Sequence, residues 1–236
     1  MARAYPGSSP PKTGYEPGVH GQTWPATATA QASVLASDWV LFTIVGLAVV
    51  VLVWGLILFA VTRWRRRDGG GDEFPPQFRT NNPLEIAWTV APLILVCALF
   101  AYTYRAEADV ENLAPHPDVT IHVQGYMWGW RFGYAGGTTL EGSALAPPEM
   151  VIPLGETTRI ELTSSDVNHA FWVPDFLFKR DAIPGRATAF DLRPSKLGTF
   201  AGRCAEFCGL NHALMSFSVR VVPPEDYARW RGRNAR

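Results

Sequence analysis

Apolar positions follow two different patterns along this chain. Residues 39–62 and 86–104 contain no Asp, Glu, Lys or Arg and are built mostly of Val, Leu, Ile, Ala and Phe. As helices they would reach about 36 Å and about 28 Å, against a hydrocarbon thickness of about 30 Å, so both are predicted to span a membrane. Pro92 in the second run is compatible with this, because neighbouring helices can satisfy the freed backbone. Beyond residue 104 the runs shorten to 119–124, 128–134, 157–163, 169–173, 187–192 and 216–222, rich in β-branched and aromatic residues and punctuated by Gly and Pro. With no helical period between them, they predict an all-β sandwich or barrel of about 105 residues.

The organisation follows from these runs. Residues 1–37, with five prolines, four glycines and no long apolar stretch, are expected to be a disordered tail. Residues 38–104 form a two-span hairpin, 105–222 the β domain and 223–236 a C-terminal tail. Arg63, Arg65, Arg66, Arg67 and Arg79 lie between the spans, whereas the tail holds only Arg3 and Lys12. The connecting loop is therefore expected in the cytoplasm, and both termini and the β domain outside.

Charge narrows the partners. The 21 Lys and Arg balance 21 Asp and Glu, which argues against a nucleic-acid binder. Residues 105–236 hold 15 acidic and 14 basic side chains, so no net field marks a docking face, although Asp166 and Asp181 are candidates for one that meets a basic partner.

The chemistry concentrates in Cys204-Ala-Glu-Phe-Cys208-Gly-Leu-Asn-His212-Ala-Leu-Met215, where two thiols, an imidazole and a thioether fall within twelve residues. A mononuclear blue-copper site needs Cys, two His and a weak axial Met, and His169, at the start of a predicted strand, supplies the second imidazole. The extra thiol allows two sulfurs to bridge a pair of copper ions, with a backbone carbonyl between the cysteines as the last donor. A site closed in this way moves electrons and binds no substrate. Two other readings compete: a Cys204–Cys208 disulfide, and a structural zinc held by the two cysteines, His169 and His212. Both leave Met215 without a role. Cys97 reads as a buried small apolar residue, and His20, His116 and His122 as ordinary.

These residues closely resemble subunit II of the cytochrome c oxidases, within the haem-copper oxidases. The likeness covers about residues 38–225 and is carried by 204–215, DVNHAFWVP (166–174), DAIPGR (181–186) and GYMWGWRF (125–132). It implies a cupredoxin-like β-barrel on a two-helix transmembrane hairpin. It also implies a dinuclear copper A centre bound by His169, Cys204, the Glu206 backbone carbonyl, Cys208, His212 and Met215. Electrons would arrive from cytochrome c and pass to haem in subunit I, where oxygen is reduced to water and protons are pumped. No Cys-x2-Cys-His haem-attachment motif occurs, so no haem is expected in this chain.

Further expectations rest on the same likeness. Trp128 matches the tryptophan through which electrons reach the copper, although it equally reads as an aromatic anchor; Met127 and Gly129 depart from the family's usual glutamine and aromatic. The Glu206 side chain resembles a carboxylate that helps hold magnesium against subunit I, and an exposed loop carboxylate would read the same. Glu85 matches a glutamate at the mouth of a proton channel, and also suits the positive end of a helix dipole. Phe171, Trp172 and Phe207 are expected to keep water from the metal. The two spans place the chain in a cell membrane, and its richness in Ala, Gly and Arg points to a bacterial gene. Rival readings are a subunit of a copper-A-bearing nitric oxide reductase, a membrane-tethered copper-delivery or storage protein, and a zinc-stabilised scaffold.

Overall fold

The computed structural model describes residues 27–65, 77 and 79–234. They divide into a helical unit of residues 33–112 and a β unit formed by residues 113–234 together with the short segment 27–32.

Helix α1 (Ala30–Arg63) has 34 residues, about 51 Å of helix, and α2 (Asn82–Glu111) has 30. Both are long and apolar enough to cross a membrane. Apolar side chains such as Leu52, Leu58, Ile94 and Phe100 stand exposed along them, as a lipid-facing surface requires. The helix begins at Ala30, so residues 30–37 are not the tail that their composition suggested; the Ala-rich stretch is helical and capped by Thr29, whose Oγ1 accepts the Ala32 N–H at 3.0 Å. Residues 1–26 of the expected tail, and Arg66 and Arg67, lie outside the described residues. The second helix starts at a reciprocal cap: Asn81 Oδ1 accepts the Leu84 N–H at 3.3 Å, and Glu85 Oε1 accepts the Asn81 N–H at 3.0 Å.

The β unit contains β1 (Val119–Tyr126), β2 (Gly129–Tyr134), β3 (Thr139–Ser143), β4 (Glu149–Pro153), β5 (Thr158–Ser164), β6 (His169–Val173), β7 (Phe178–Ala182), β8 (Thr188–Leu192), β9 (Gly198–Cys204) and β10 (Ser216–Val222). They form two five-stranded sheets, ordered β3-β2-β1-β5-β8 and β4-β10-β9-β6-β7. β1 pairs with β5 and β4 with β10 in parallel, and the other ladders are antiparallel. The cupredoxin-like domain is thus built of two packed five-stranded sheets, within the sandwich or barrel that its short strands predicted. Its core is a set of fully or almost fully buried rings: Phe217 packs on Phe171, Trp130 and Phe132 at centroid distances of 4.7, 5.2 and 5.8 Å. Such rings stabilise by apolar burial and by about 0.5–1.5 kcal/mol per aromatic pair beyond it.

Two tethers complete the unit. The buried Asp191 carboxylate receives a two-point contact from Arg159, at 2.8 and 2.9 Å, and accepts the Ala114 N–H at 2.7 Å, which pins the chain leading into β1. Ahead of α1, the Ala28 N–H donates to the Asp175 carbonyl at 3.0 Å, the Ser195 N–H to the Ala28 carbonyl at 2.9 Å, and the Ala30 N–H to the Arg193 carbonyl at 2.9 Å. Ala28 and Thr29 are fully buried. At the other end, the expected C-terminal tail is a helix, α3 (Pro224–Asn234), with acidic residues in its first turn and arginines in its last; Trp230 packs on Tyr134 at 5.0 Å.

Candidate metal centre

β9 and β10 form a hairpin whose mouth is closed by the Cys204 N–H donating to the Met215 carbonyl at 2.9 Å. The intervening loop therefore returns to its origin, and Cys204, Cys208, His212 and Met215 are drawn to one end of the sandwich. β6 lies beside β9 with Phe171 opposite Cys204, which places His169, at the start of β6, against the same spot. A short helical turn, His212–Leu214, sets the second imidazole.

The donor atoms converge. Cys204 Sγ lies 3.8 Å from Cys208 Sγ, 3.7 Å from His169 Nδ1 and 3.2 Å from the Glu206 carbonyl oxygen. Cys208 Sγ lies 3.5 Å from His212 Nδ1 and 3.7 Å from Met215 Sδ. Both thiols are free, their sulfurs well beyond the roughly 2.05 Å of a disulfide bond. His169, Cys204, Cys208 and Met215 are buried, and His212 is half-buried.

This donor set fits a soft metal. Donors sharing an ion through bonds of about 2.0–2.3 Å stand roughly 3.3–3.8 Å apart around a tetrahedron, which is the spacing found. Among the described residues, His169, Cys204 and Cys208 are the one cluster of metal-binding His, Cys, Asp or Glu side chains. The thioether beside two thiols and two imidazoles matches copper chemistry better than zinc, whose sites do not use methionine.

The surrounding electrostatics favour the thiolate form of one sulfur. Burial raises the Cys204 thiol, but hydrogen bonds from the His169 ring and the backbone outweigh it and bring its pKa to about 6. Burial and the neighbouring Cys204 charge push Cys208 up to about 12. A bound cation displaces that second proton. Burial lowers the His169 pKa, yet contacts with Cys204 and Asp166 carry it above the ordinary histidine value.

Two glycines make room for this arrangement. Gly125 in β1 lies under the His169 ring, where a Cβ would fall 3.0 Å from Cδ2. Gly209, at φ +108°, turns the loop after Cys208 and lies under the Trp128 ring, 3.3 Å from where its own Cβ would stand. Trp128 Nε1 donates to the Cys208 carbonyl at 2.9 Å, so this half-buried side chain is joined to the ligand loop.

Other expectations fare differently. Phe171 is buried, Trp172 is half-buried under the Arg203 guanidinium at 4.6 Å, and Phe207 is 80% exposed, so it does not shield the metal. Its ring borders His212 from outside at 5.7 Å. The Glu206 side chain is half-buried, and Glu85 serves the α2 cap in the helical unit. Cys97 is exposed on α2, not buried. His122 pairs with Glu161 at 2.8 Å on the sheet surface. Sequence reasoning missed Asp166 as the partner of His169 Nε2, at 2.9 Å; the Asp three residues before the histidine was its only signal.

Comparison with known proteins adds an independent line. Residues 143–222 match the family model described as cytochrome c oxidase subunit II, periplasmic domain. The chain is 39% identical over 242 residues to a probable cytochrome c oxidase subunit 2 of Streptomyces avermitilis, covering 86% of this chain and 76% of that protein. It is 32% identical over 271 residues to cytochrome c oxidase subunit 2 of Corynebacterium diphtheriae, covering 89% and 75%. Among solved structures, the periplasmic domain of subunit II of cytochrome oxidase from Bradyrhizobium japonicum is 34% identical, with a TM-score of 0.48, over 52% of this chain and 96% of that one.

Proposed function

The chain belongs to the cytochrome c oxidase subunit II family, a component of haem-copper oxidoreductases, and from this premise we propose that it is the subunit that takes electrons from cytochrome c. It holds them at a dinuclear copper A centre and passes them to haem in subunit I, where oxygen is reduced to water and protons are pumped. The observation that carries this reading is the convergence of six donors, two thiols, two imidazoles, a thioether and the Glu206 carbonyl, through contacts of 3.2–3.8 Å.

When bound, the copper pair supplies a one-electron carrier shared between two ions. The chain provides its setting. Cys204 and Cys208 would hold the metal through sulfurs from the two ends of one short segment, His169 beside the first and His212 beside the second. Met215 Sδ and the Glu206 carbonyl would serve as weaker donors. Burial of His169, Cys204, Cys208 and Met215 excludes water, so little solvent reorganises as the charge changes. Trp128, bonded to the Cys208 carbonyl and half-buried, is proposed as the route by which electrons reach the centre.

The remaining assignments extend the same reading. The β domain and both termini lie outside the membrane; the bonding of residues 28–30, just ahead of the first span, to the β unit supports a common side. The Glu206 carboxylate is proposed to share a magnesium ion with subunit I, and Glu85 to lie at a proton-uptake path from the cytoplasmic face.

Metal analysis and electron paramagnetic resonance on the full chain, purified in detergent and loaded with copper, test the centre. Two coppers per chain and one unpaired electron spread equally over both are expected, with Cys204→Ser abolishing the shared signal. A single copper per chain, or a shared signal that survives Cys204→Ser, would refute the assignment.

A further inference from the structure

Outside the six donors, one carboxylate touches both the metal cradle and the turn that carries Trp128. Asp166 Oδ1 faces His169 Nε2 at 2.9 Å and accepts the Val167 N–H at 2.6 Å, while Oδ2 accepts the Met127 N–H at 2.6 Å. The turn bearing Asp166 is itself fastened to the end of β1, where the Ser165 N–H donates to the Gly125 carbonyl at 3.1 Å. A carboxylate has no proton to give here, so the His169 Nε2 donates to Asp166 and Nδ1 is the nitrogen turned to Cys204 Sγ, 3.7 Å away, the one that would meet a metal.

The contacts close on themselves. From Asp166 the path runs through the Met127 N–H to Trp128, from Trp128 Nε1 to the Cys208 carbonyl, across 3.8 Å from Cys208 Sγ to Cys204 Sγ, and through His169 back to Asp166. We propose that Asp166 is a positioning residue that braces this ring, setting the metal-facing nitrogen of His169 and the placement of the Trp128 turn with one side chain. Its oxygens are committed inward, and its side chain is only 27% exposed, which sets it apart from a surface acid that steers a basic partner. The inference rests on the copper-centre reading above, and deepens it by linking the ligand geometry to the path into the centre.

The two halves of the brace can be separated chemically. In Asp166→Asn the amide keeps one acceptor oxygen, enough for His169 or for Met127 but not for both; in Asp166→Ala neither contact survives. The test uses the full chain in detergent, with copper itself as the probe. Three measurements are made: copper affinity by competition with a chelator, the reduction potential of the loaded centre, and the His169 ring nitrogen shifts of the metal-free chain by NMR.

Copper affinity is expected to fall by about 10- to 100-fold in Asp166→Ala and by less in Asp166→Asn. The potential should rise in both, because an imidazole without its carboxylate partner donates less to the oxidised ions. In the metal-free Asp166→Ala chain, the His169 Nε2 shift should move away from its wild-type, carboxylate-bonded value. Wild-type affinity, potential and ring-nitrogen shifts in both variants would overturn the proposal, as would variants that change only the salt dependence of electron uptake. Loss of the metal-free fold in Asp166→Asn would overturn it too, since the carboxylate would then be a scaffold group. If the wild-type chain itself takes up no copper, it is the functional reading that falls.

Discussion

Adding a single methyl group at Gly125 is a direct test of how tightly the metal cradle is built. A Cβ there would stand 3.0 Å from His169 Cδ2 and 3.2 Å from both Cβ and Cγ, inside the ordinary contact range for three atoms at once. The ring cannot swing aside freely, since Nε2 is held by Asp166 at 2.9 Å and Nδ1 faces Cys204 Sγ at 3.7 Å, and the residue is fully buried. Overpacking of this kind costs about 1–3 kcal/mol. The loss of backbone freedom in the unfolded chain returns about 0.4–1 kcal/mol when glycine becomes alanine. Gly125→Ala should therefore lower the stability of the metal-free chain by about 1–2 kcal/mol, read by denaturant unfolding, and weaken copper binding by displacing Nδ1. The decisive comparison repeats the substitution in a His169→Ala background, where the obstructing ring is gone and the same methyl should be neutral or stabilising by about 0.4–1 kcal/mol. An equal cost in both backgrounds would refute the claim that Gly125 is there to seat His169.

Two further outcomes follow from the geometry. In the metal-free chain, thiolate absorbance should show one cysteine ionised above about pH 6, lost as the pH falls through that value, and the second ionising only toward pH 12; two thiols titrating together near the ordinary value of about 8.5 would contradict the unequal environments of Cys204 and Cys208. Trp128→Phe retains a ring to pack over Gly209 but cannot donate to the Cys208 carbonyl; copper content should be unchanged while electron uptake from reduced cytochrome c in the assembled complex slows about tenfold, and an unaltered rate would remove Trp128 from the path.

What could be read from the sequence depended on where each element earns its stability. The six strands found from pattern alone include all three inner strands of the first sheet, β2, β1 and β5, whose alternation is set by burial on one face. The four that were missed, β3, β4, β7 and β9, lack that signature for separate reasons. β3, β4 and β7 are edge strands, where Thr-Leu-Glu-Gly-Ser, a terminal proline and Phe-Lys-Arg-Asp-Ala are tolerated because one side meets no partner. β9 carries Gly198 and Gly202, which read as loop residues. The terminal helix α3 had its signals in place, proline at the start and charges sorted along its dipole, yet its polarity concealed the few aromatic residues that dock it. The metal donors were legible because their side chains have few other uses at such spacing. Asp166 was not, since a carboxylate in a turn looks the same whether it faces solvent or an imidazole.

The strap formed by residues 28–30 has an implication for biogenesis. These residues lead into α1, yet the backbone partners that hold Ala28 and Ala30, Asp175, Arg193 and Ser195, belong to the distal third of the chain. During synthesis the earlier segment therefore stays without these partners until the chain through residue 195 has been made, so the clasp closes late in the growth of the polypeptide.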